Sequence, residues 1–577
     1  ICVKQIQLRP EENTDFKAQQ GAGRSDGALS AQEVFFYPDM ALDALPERLH
    51  IDLPLDGKPG VQLLLRTGGE AIRLTLEGGG FAAEYYAMRA VPVEYNTGDG
   101  TQQGGAMVLE QRPAQKPDYA SRLAPFWVYD CLIEVSDGCI RAQDSLAAAY
   151  LCLCPDVQCR PGTYTLTLRA QCAEGEYCCA LDVRVYGVRV PQDAFPVTNW
   201  FSLDAIRRLH HVTDGTPEYI AMVRKYARAM RRTHQTIFYL EFDGKACVRS
   251  REPLEFTFDD LKPLIECFLS EGMQTIELGP LLSRGFLPDG MPDMYTDTFK
   301  CIFAPELAVD SPEGYAQMSR FVAELAAFLR ENGWENRVVF HIHDEPDVHY
   351  RDAQTLEARR RQYLLTANIL RRQLPGVRVI EAVDSDAFYG GVDIWVPVTS
   401  AFERRREAFA RLIALGEQVW TYVCCSPEGH WLNRFLDQPL LHGRLLFWGC
   451  AANRIGGYLH WGFNQFPEGM DPFQGTSCPN HTGIGTNFPC GDCFLVYPGE
   501  NGPLLSMRLE ASRRGAEDAA LLAMLRKQDE AAHDALIARI FTNNSTYDDD
   551  PAIFAEDYAQ LLALLEQSDE TDRGEAK

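Results

Sequence analysis

Between residues 197 and 461, short apolar runs alternate with longer stretches of helical apolar spacing. Short runs bounded by turn residues and separated by helices predict parallel strands joined by crossovers. Strands are expected at 197–201, 235–240, 274–278, 337–343, 377–383, 392–398, 418–424 and 457–461. Helices are expected at 217–232, 258–270, 313–332, 353–373, 401–415 and 439–453, with an irregular rim loop over 281–312. Eight mostly parallel strands in a segment of this size predict a (β/α)8 TIM-type barrel, whose chemistry sits at the C-terminal ends of the strands.

The fourth strand is the one that carries acids. Arg337-Val338-Val339-Phe340-His341-Ile342-His343 runs straight into Asp344-Glu345-Pro346. A proline biases the residue before it toward extended backbone, so the strand is expected to keep its direction through both acids. Two carboxylates here either begin the following helix as caps or sit on a catalytic rim.

The segments flanking this region differ in character. Residues 1–192 read as strands at 49–53, 61–66, 71–76, 84–95, 126–135, 163–170 and 179–190, punctuated by Gly, Pro and Asp. Thr163-Tyr164-Thr165-Leu166-Thr167-Leu168 alternates as a half-buried strand should. An N-terminal β-sandwich is the economical architecture, with a mobile loop over the Gly- and Gln-rich stretch 97–119. The barrel domain is expected over 193–505. Residues 506–577 are expected to form helices packed on its outside, ending in an acidic tail.

Charge and cysteine usage narrow the function. A formal net charge of −26 would repel nucleic acid and anionic membrane surfaces, and no stretch is apolar for long enough to span a bilayer. The 18 cysteines are scattered and include the adjacent pairs Cys178-Cys179 and Cys424-Cys425. Neighbouring cysteines make poor disulfide partners, which points to a reducing, cytoplasmic compartment. The opening Ile1-Cys2-Val3-Lys4 has no signal-peptide pattern; a leader removed beforehand is the alternative.

Glycosidase acids normally flank the sugar, roughly 5–5.5 Å apart in retaining enzymes. Acids one peptide bond apart approach from the same side and pair poorly as nucleophile and proton donor. They suit substrate-assisted hydrolysis, in which a 2-acetamido oxygen attacks the anomeric carbon. One carboxylate then steadies the acetamide while its neighbour protonates the leaving oxygen. Asp344-Glu345-Pro346 behind a β-rich segment resembles glycoside hydrolase family 123, the β-N-acetylgalactosaminidase family. Further matching motifs follow in order: Val392-Asp393-Ile394-Trp395-Val396-Pro397, Trp420-Thr421-Tyr422, Arg434-Phe435-Leu436-Asp437, Leu459-His460-Trp461-Gly462, Val496-Tyr497-Pro498-Gly499 and Ser506-Met507-Arg508-Leu509-Glu510. The resemblance covers roughly residues 160–530 and implies that Asp344 orients the acetamide and Glu345 is the general acid/base. His341, His343 and Cys424-Cys425-Ser426 depart from the family pattern.

The expected function is therefore exo-acting, retaining release of terminal β-N-acetylgalactosamine from a glycan. Alternatives are another 2-acetamido sugar such as N-acetylglucosamine, or a non-catalytic glycan-binding protein on the same scaffold. The mechanism needs no cofactor, and nothing fixes the oligomeric state. Tyr422 and Trp461 end strands and either floor a sugar pocket or fill the barrel. Trp395 and Trp200 pose the same choice on shorter strands. Asn464 and Asp492 lie in loops over the rim and either bind sugar hydroxyls or cap turns. His343 shares parity with Glu345, which would place it beneath that acid. Glu277 either reaches the rim or pairs with an arginine such as Arg284. Cys478, His481, Cys490 and Cys493 have zinc-like spacing; among so many cysteines, chance spacing is the competing account.

Overall fold

The computed structural model describes residues 26–100, 107–242, 244, 246–480, 482 and 485–575. The protein is a mixed α/β, multidomain chain. An eight-stranded antiparallel sheet and a five-stranded sheet face each other across one hydrophobic core that includes Leu63, Ala149, Leu168, Leu181 and Val183. Their longest pairing joins Gly162–Cys172 to Gly175–Tyr186, where the alternating run at 163–168 buries Leu166 and Leu168 and half-buries Tyr164. The strand Leu146–Pro155 was not foreseen. It lies between Gly60–Arg66 and Phe81–Val93 and is buried through its first eight residues. Burial on both faces removes the period-two signal by which a strand is read.

Two late strands, Tyr497–Gly499 and Gly502–Ser506, extend the eight-stranded sheet by pairing Leu505 with Leu132 and Ser506 with Cys131. Helix Met507–Gln528 then runs buried along most of its length, beside helix His442–Ala452. Of the loop expected at 97–119, residues 101–106 lie outside the described residues; Thr97 and Val108, either side of them, pair as an antiparallel bridge.

The parallel strands form two sheets. One runs Ile237–Glu241, Thr275–Gly279, Val338–Phe340, Arg378–Ala382, Ile394–Val396, Gln418–Val419, and the other Val197–Asn199, Tyr458–His460, Thr421–Tyr422. They join where Trp420 N donates to Trp395 O (2.7 Å) and Tyr422 N to Pro397 O (3.2 Å). Between Val197–Asn199 and Ile237–Glu241 a side chain takes the place of a ladder. The Gln235 amide accepts from Asn199 Nδ2 (3.1 Å) and donates to the carbonyls of Asn199 (3.2 Å) and Ile237 (2.7 Å). Inside the strands, Ile237, Tyr239, Val339, Ile380, Val396, Tyr422 and Leu459 pack into a cluster of their own.

The helices between strands begin where the sequence supplies caps. Thr216 accepts from Tyr219 N ahead of helix Pro217–Arg232, and Ser311 from Gly314 N ahead of Pro312–Glu331. Asp352 accepts from Thr355 N ahead of Ala353–Gln373. Each cap satisfies an N–H that the first turn leaves free. The helix expected at 401–415 is two, Thr399–Arg404 and Arg406–Ala414, and the irregular segment 281–312 contains a small three-stranded sheet. Among the described residues no helix is long and apolar enough to cross a membrane.

Candidate active site

The acid-bearing strand ends earlier than its sequence suggests, at Phe340. Beyond it, Ile342 N and His343 N donate to Glu381 Oε2 (3.1 and 3.0 Å), while Leu281 N and Leu282 N donate to Ile342 O (3.0 and 2.9 Å). A carboxylate from the next strand has captured the N–H groups that a ladder would use, and the chain turns.

Glu381 belongs to a buried layer of charge spanning three adjacent strands. His341 Nε2 lies 3.0 Å from Glu381 Oε1 and 3.9 Å from Asp344 Oδ1, and its Nδ1 lies 3.7 Å from Glu277 Oε1. Burial opposes the imidazolium, but Glu381, Asp344 and Glu277 outweigh it and hold His341 well above its ordinary pKa. Glu277 also accepts from Thr198 Oγ1 (3.0 Å) and Trp200 Nε1 (3.1 Å), so it is turned inward and does not pair with Arg284. Burial raises Glu277 to about 7, with His341 opposing. Glu381, pushed up by burial, additionally accepts from Tyr363 OH (2.8 Å).

Above this layer the two acids part company. The Asp344 side chain is 61% exposed, whereas Glu345 is half-buried. Glu345 is not extended as expected: its φ is +52°, in the left-handed region. A non-glycine residue held there costs on the order of 1–3 kcal/mol and persists only when its surroundings impose it. The Arg284 guanidinium does so, donating to the backbone carbonyls of both Asp344 (3.2 Å) and Glu345. Buried Arg359 holds the following turn through the carbonyls of Pro346 (3.2 Å), Val348 (2.9 Å) and His349 (3.2 Å). The turn directs Glu345 Oε1 to Tyr422 OH, which donates to it at 2.5 Å. Burial and then the Asp344 charge push Glu345 up to about 7, against the Tyr422 hydrogen bond and Arg284. Nearby, buried Asp347 accepts from Asp384 N (2.9 Å) and Ser385 Oγ (2.6 Å), and burial raises it to about 6.

His343 does not lie beneath Glu345. The turn after Phe340 sends its ring onto Phe299, with centroids 4.0 Å apart, and burial with Arg284 and Arg359 keeps it neutral, well below its usual pKa. Trp461 Nε1 donates to buried Asp492 Oδ2 (3.2 Å), and burial raises Asp492 to about 7 against the pull of Arg434. Trp461, Tyr422, Cys424 and Trp200 share the cluster inside the strands.

Two other candidates face elsewhere. Asn464 spends its amide on the backbone of Ser202, accepting from N (2.8 Å) and donating to O (3.1 Å). Trp395 is fully buried in the helix-side core while its neighbours Ile394 and Val396 point inward. His481 lies outside the described residues. The rest of its set, Cys478, Cys490 and Cys493, forms no three-ligand group, and Cys490 Sγ is 3.4 Å from Glu94 Oε2. Sequence reasoning overlooked Glu381, Arg284 as a backbone clamp, and Arg359; a lone Glu inside the apolar run at 377–383 was the available signal for the first.

Residues 287–525, which include both acids, Tyr422, Trp461 and Asp492, match the model of the glycoside hydrolase 123 catalytic domain. Among solved structures, a family 123 glycoside hydrolase from Clostridium perfringens, analysed for glycolipid glycan hydrolysis, is similar with a TM-score of 0.68. At 13% identity, that likeness covers 94% of this chain and 99% of that chain and concerns the fold. A family 39 glycoside hydrolase from Bacteroides cellulosilyticus gives a TM-score of 0.34 at 12% identity, over 82% of this chain and 81% of that one. The exo-β-1,4-mannosidase of an Opitutaceae bacterium gives 0.38 at 11% identity, over 58% and 63%. No curated protein matches the chain.

Proposed function

We propose that this chain, whose residues 287–525 match the model of the glycoside hydrolase 123 catalytic domain, is a glycoside hydrolase that releases terminal β-N-acetylgalactosamine, with retention, through the substrate's own 2-acetamido group. The observation that carries this reading is the division between the two adjacent carboxyls. Glu345 is half-buried, raised to about 7 and hydrogen-bonded by Tyr422 OH (2.5 Å), the state of a proton donor at neutral pH. Asp344 is open to incoming substrate, with Oδ1 3.9 Å from a charged His341. It is suited to orient an acetamide N–H and to balance the oxazolinium charge.

The reaction then runs in two steps. Glu345 gives its proton to the glycosidic oxygen as the acetamide oxygen closes on the anomeric carbon. The resulting carboxylate takes a proton from the water that opens the oxazoline. Tyr422, Trp461 and Asp492 line the sugar; His343, Trp395 and Asn464 belong to the frame around it. In this reading the parallel strands are a (β/α)8 barrel with Gln235 bridging the seam between its first two strands, and the facing sheets are a β-sandwich. The boundaries fall near 192/193 and 505/506. Glycolipid glycans, which the Clostridium perfringens protein was analysed for, are the natural class to assay.

A panel of nitrophenyl glycosides tests the sugar, and proton NMR of the first product anomer tests the mechanism. Turnover of the β-N-acetylgalactosaminide with a β product, inhibited by the corresponding thiazoline, is the expected result. An initial α-anomer would mean inversion, and the roles of Asp344 and Glu345 would have to be abandoned.

A further inference from the structure

A second cluster of reactive side chains lies in the eight-stranded sheet. Cys152 and Cys154 stand two apart on strand Leu146–Pro155 and so project to the same face. Glu84, on strand Phe81–Val93, is the direct cross-strand partner of Cys152. One ligand atom from each of the three falls within 4.8 Å of the others, and Cys154 Sγ is 3.6 Å from Glu84 Oε1. Zinc–sulfur bonds of about 2.3 Å and zinc–oxygen bonds of about 2.0–2.2 Å place tetrahedral ligand atoms about 3.5–3.8 Å apart. Both thiols are free.

From this geometry we propose that Glu84, Cys152 and Cys154 form a binding site for one Zn2+ ion, independent of catalysis. Two thiolates and a carboxylate make a borderline-soft donor set suited to zinc. The surroundings orient the carboxylate as an outer shell does. Arg232 Nη1 (2.8 Å) and Tyr86 OH (2.9 Å) both hold Glu84 Oε2, leaving Oε1 turned to the sulfurs. Lys58 Nζ lies 3.7 Å from that same Oε1 on a side chain 46% exposed, so it can swing into solvent when a cation arrives. Three anionic ligands around Zn2+ leave one net negative charge, which Arg232, shared with Glu510, offsets in part. Glu84 borders an open groove of about 1570 Å³, so water can take the fourth position. The ion would cross-link two neighbouring strands and, through Arg232, tie them to helix Pro217–Arg232.

The test uses the full chain, reduced, stripped with chelator and titrated with Zn2+ and separately with Co2+. One equivalent of zinc by elemental mass spectrometry is expected, with a thiolate-to-cobalt charge-transfer band and protection of Cys154 from alkylation. Cys154→Ser and Glu84→Gln should each weaken binding by more than the about 10–100-fold that outer-shell changes cost, and glycosidase activity of the stripped protein should persist. Absence of stoichiometric zinc overturns the proposal. So does zinc retained undiminished in Cys154→Ser, which would locate it elsewhere. If either variant misfolds, alkylation mapping of the wild type decides: Cys152 and Cys154 equally reactive with and without zinc also overturns it.

Discussion

Glu345 carries two opposing influences that single substitutions separate. The Asp344 charge raises its pKa, whereas the Tyr422 hydroxyl, donating to its carboxylate, lowers it. The acid form is lost as pH rises through about 7, which sets an alkaline limb in kcat/KM. Tyr422→Phe removes the stabilised carboxylate's donor, so that limb should move to higher pH. Asp344→Asn removes the like charge, so it should move lower, while kcat falls by about 10²–10³ because the oxazolinium loses its counter-charge. Shifts in the same direction for both variants, measured as pH profiles on one aryl glycoside, would contradict the arrangement. Glu345→Gln should abolish turnover of substrates with poor leaving groups and spare much of the activity on activated aryl glycosides, which need little protonation.

At the scale of elements, the site depends on three strand ends meeting at one level. The register pairs Ile276, Glu277 and Leu278 with Val338, Val339 and Phe340, and so brings Glu277 level with the end of the acid-bearing strand, where His341 follows. Glu381 serves twice, as partner of His341 and as acceptor for the N–H groups of Ile342 and His343. Glu381→Gln keeps the shape and removes the charge, leaving a buried imidazolium short of a partner. Breaking a buried pair this way costs on the order of 3–5 kcal/mol. Its pH dependence has a definite sign. A histidine raised on folding contributes stability that is fully present below its unfolded pKa of about 6.5 and is lost as pH rises through the higher folded value. Glu381→Gln lowers the folded value and so moves the loss to lower pH. Urea midpoints from pH 5 to 9 read both effects.

Over the whole molecule, helix Met507–Gln528 joins parts of the chain far apart in sequence. Glu510 bonds Arg232 Nε (2.5 Å) and Arg513 Nη2 (3.0 Å) and accepts from Tyr150 OH (3.2 Å), while Asp518 and Glu33 share Arg444 at 2.6 and 2.8 Å. Burial opposes the Glu510 carboxylate, but Arg513 and Arg232 overcome it and hold its pKa well below 4.5. Glu517 is likewise buried, yet Arg513 and His234 bring it down to about 2. Depressed carboxyls contribute stability present above their unfolded pKa and lost as pH falls through the folded one. Acid unfolding, followed by circular dichroism, should therefore develop between about pH 4.5 and 2. Glu510→Gln should cost on the order of 3–5 kcal/mol at neutral pH, by leaving Arg232 and Arg513 underpaired, and should flatten that acid response.

Local pattern in the chain was enough for most of the alternation of strands and helices after residue 197 and for two acids behind the strand at 338–340, because burial of one face is a property of a few consecutive residues. The proposal of Asp344 and Glu345 as the reacting pair starts from the same local pattern. What periodicity does not encode is which distant side chain arrives beside a given one. The left-handed Glu345 follows from Arg284, sixty-one residues away, and the early strand end from Glu381. Between sugar binding and turn capping, the sequence left Asn464 open, and the Ser202 backbone takes its amide. Strand Leu146–Pro155 carried no alternation because both its faces are covered, and Gly502–Ser506 joined a sheet begun at Asp26. Register and packing, which are relations between elements, decided those features.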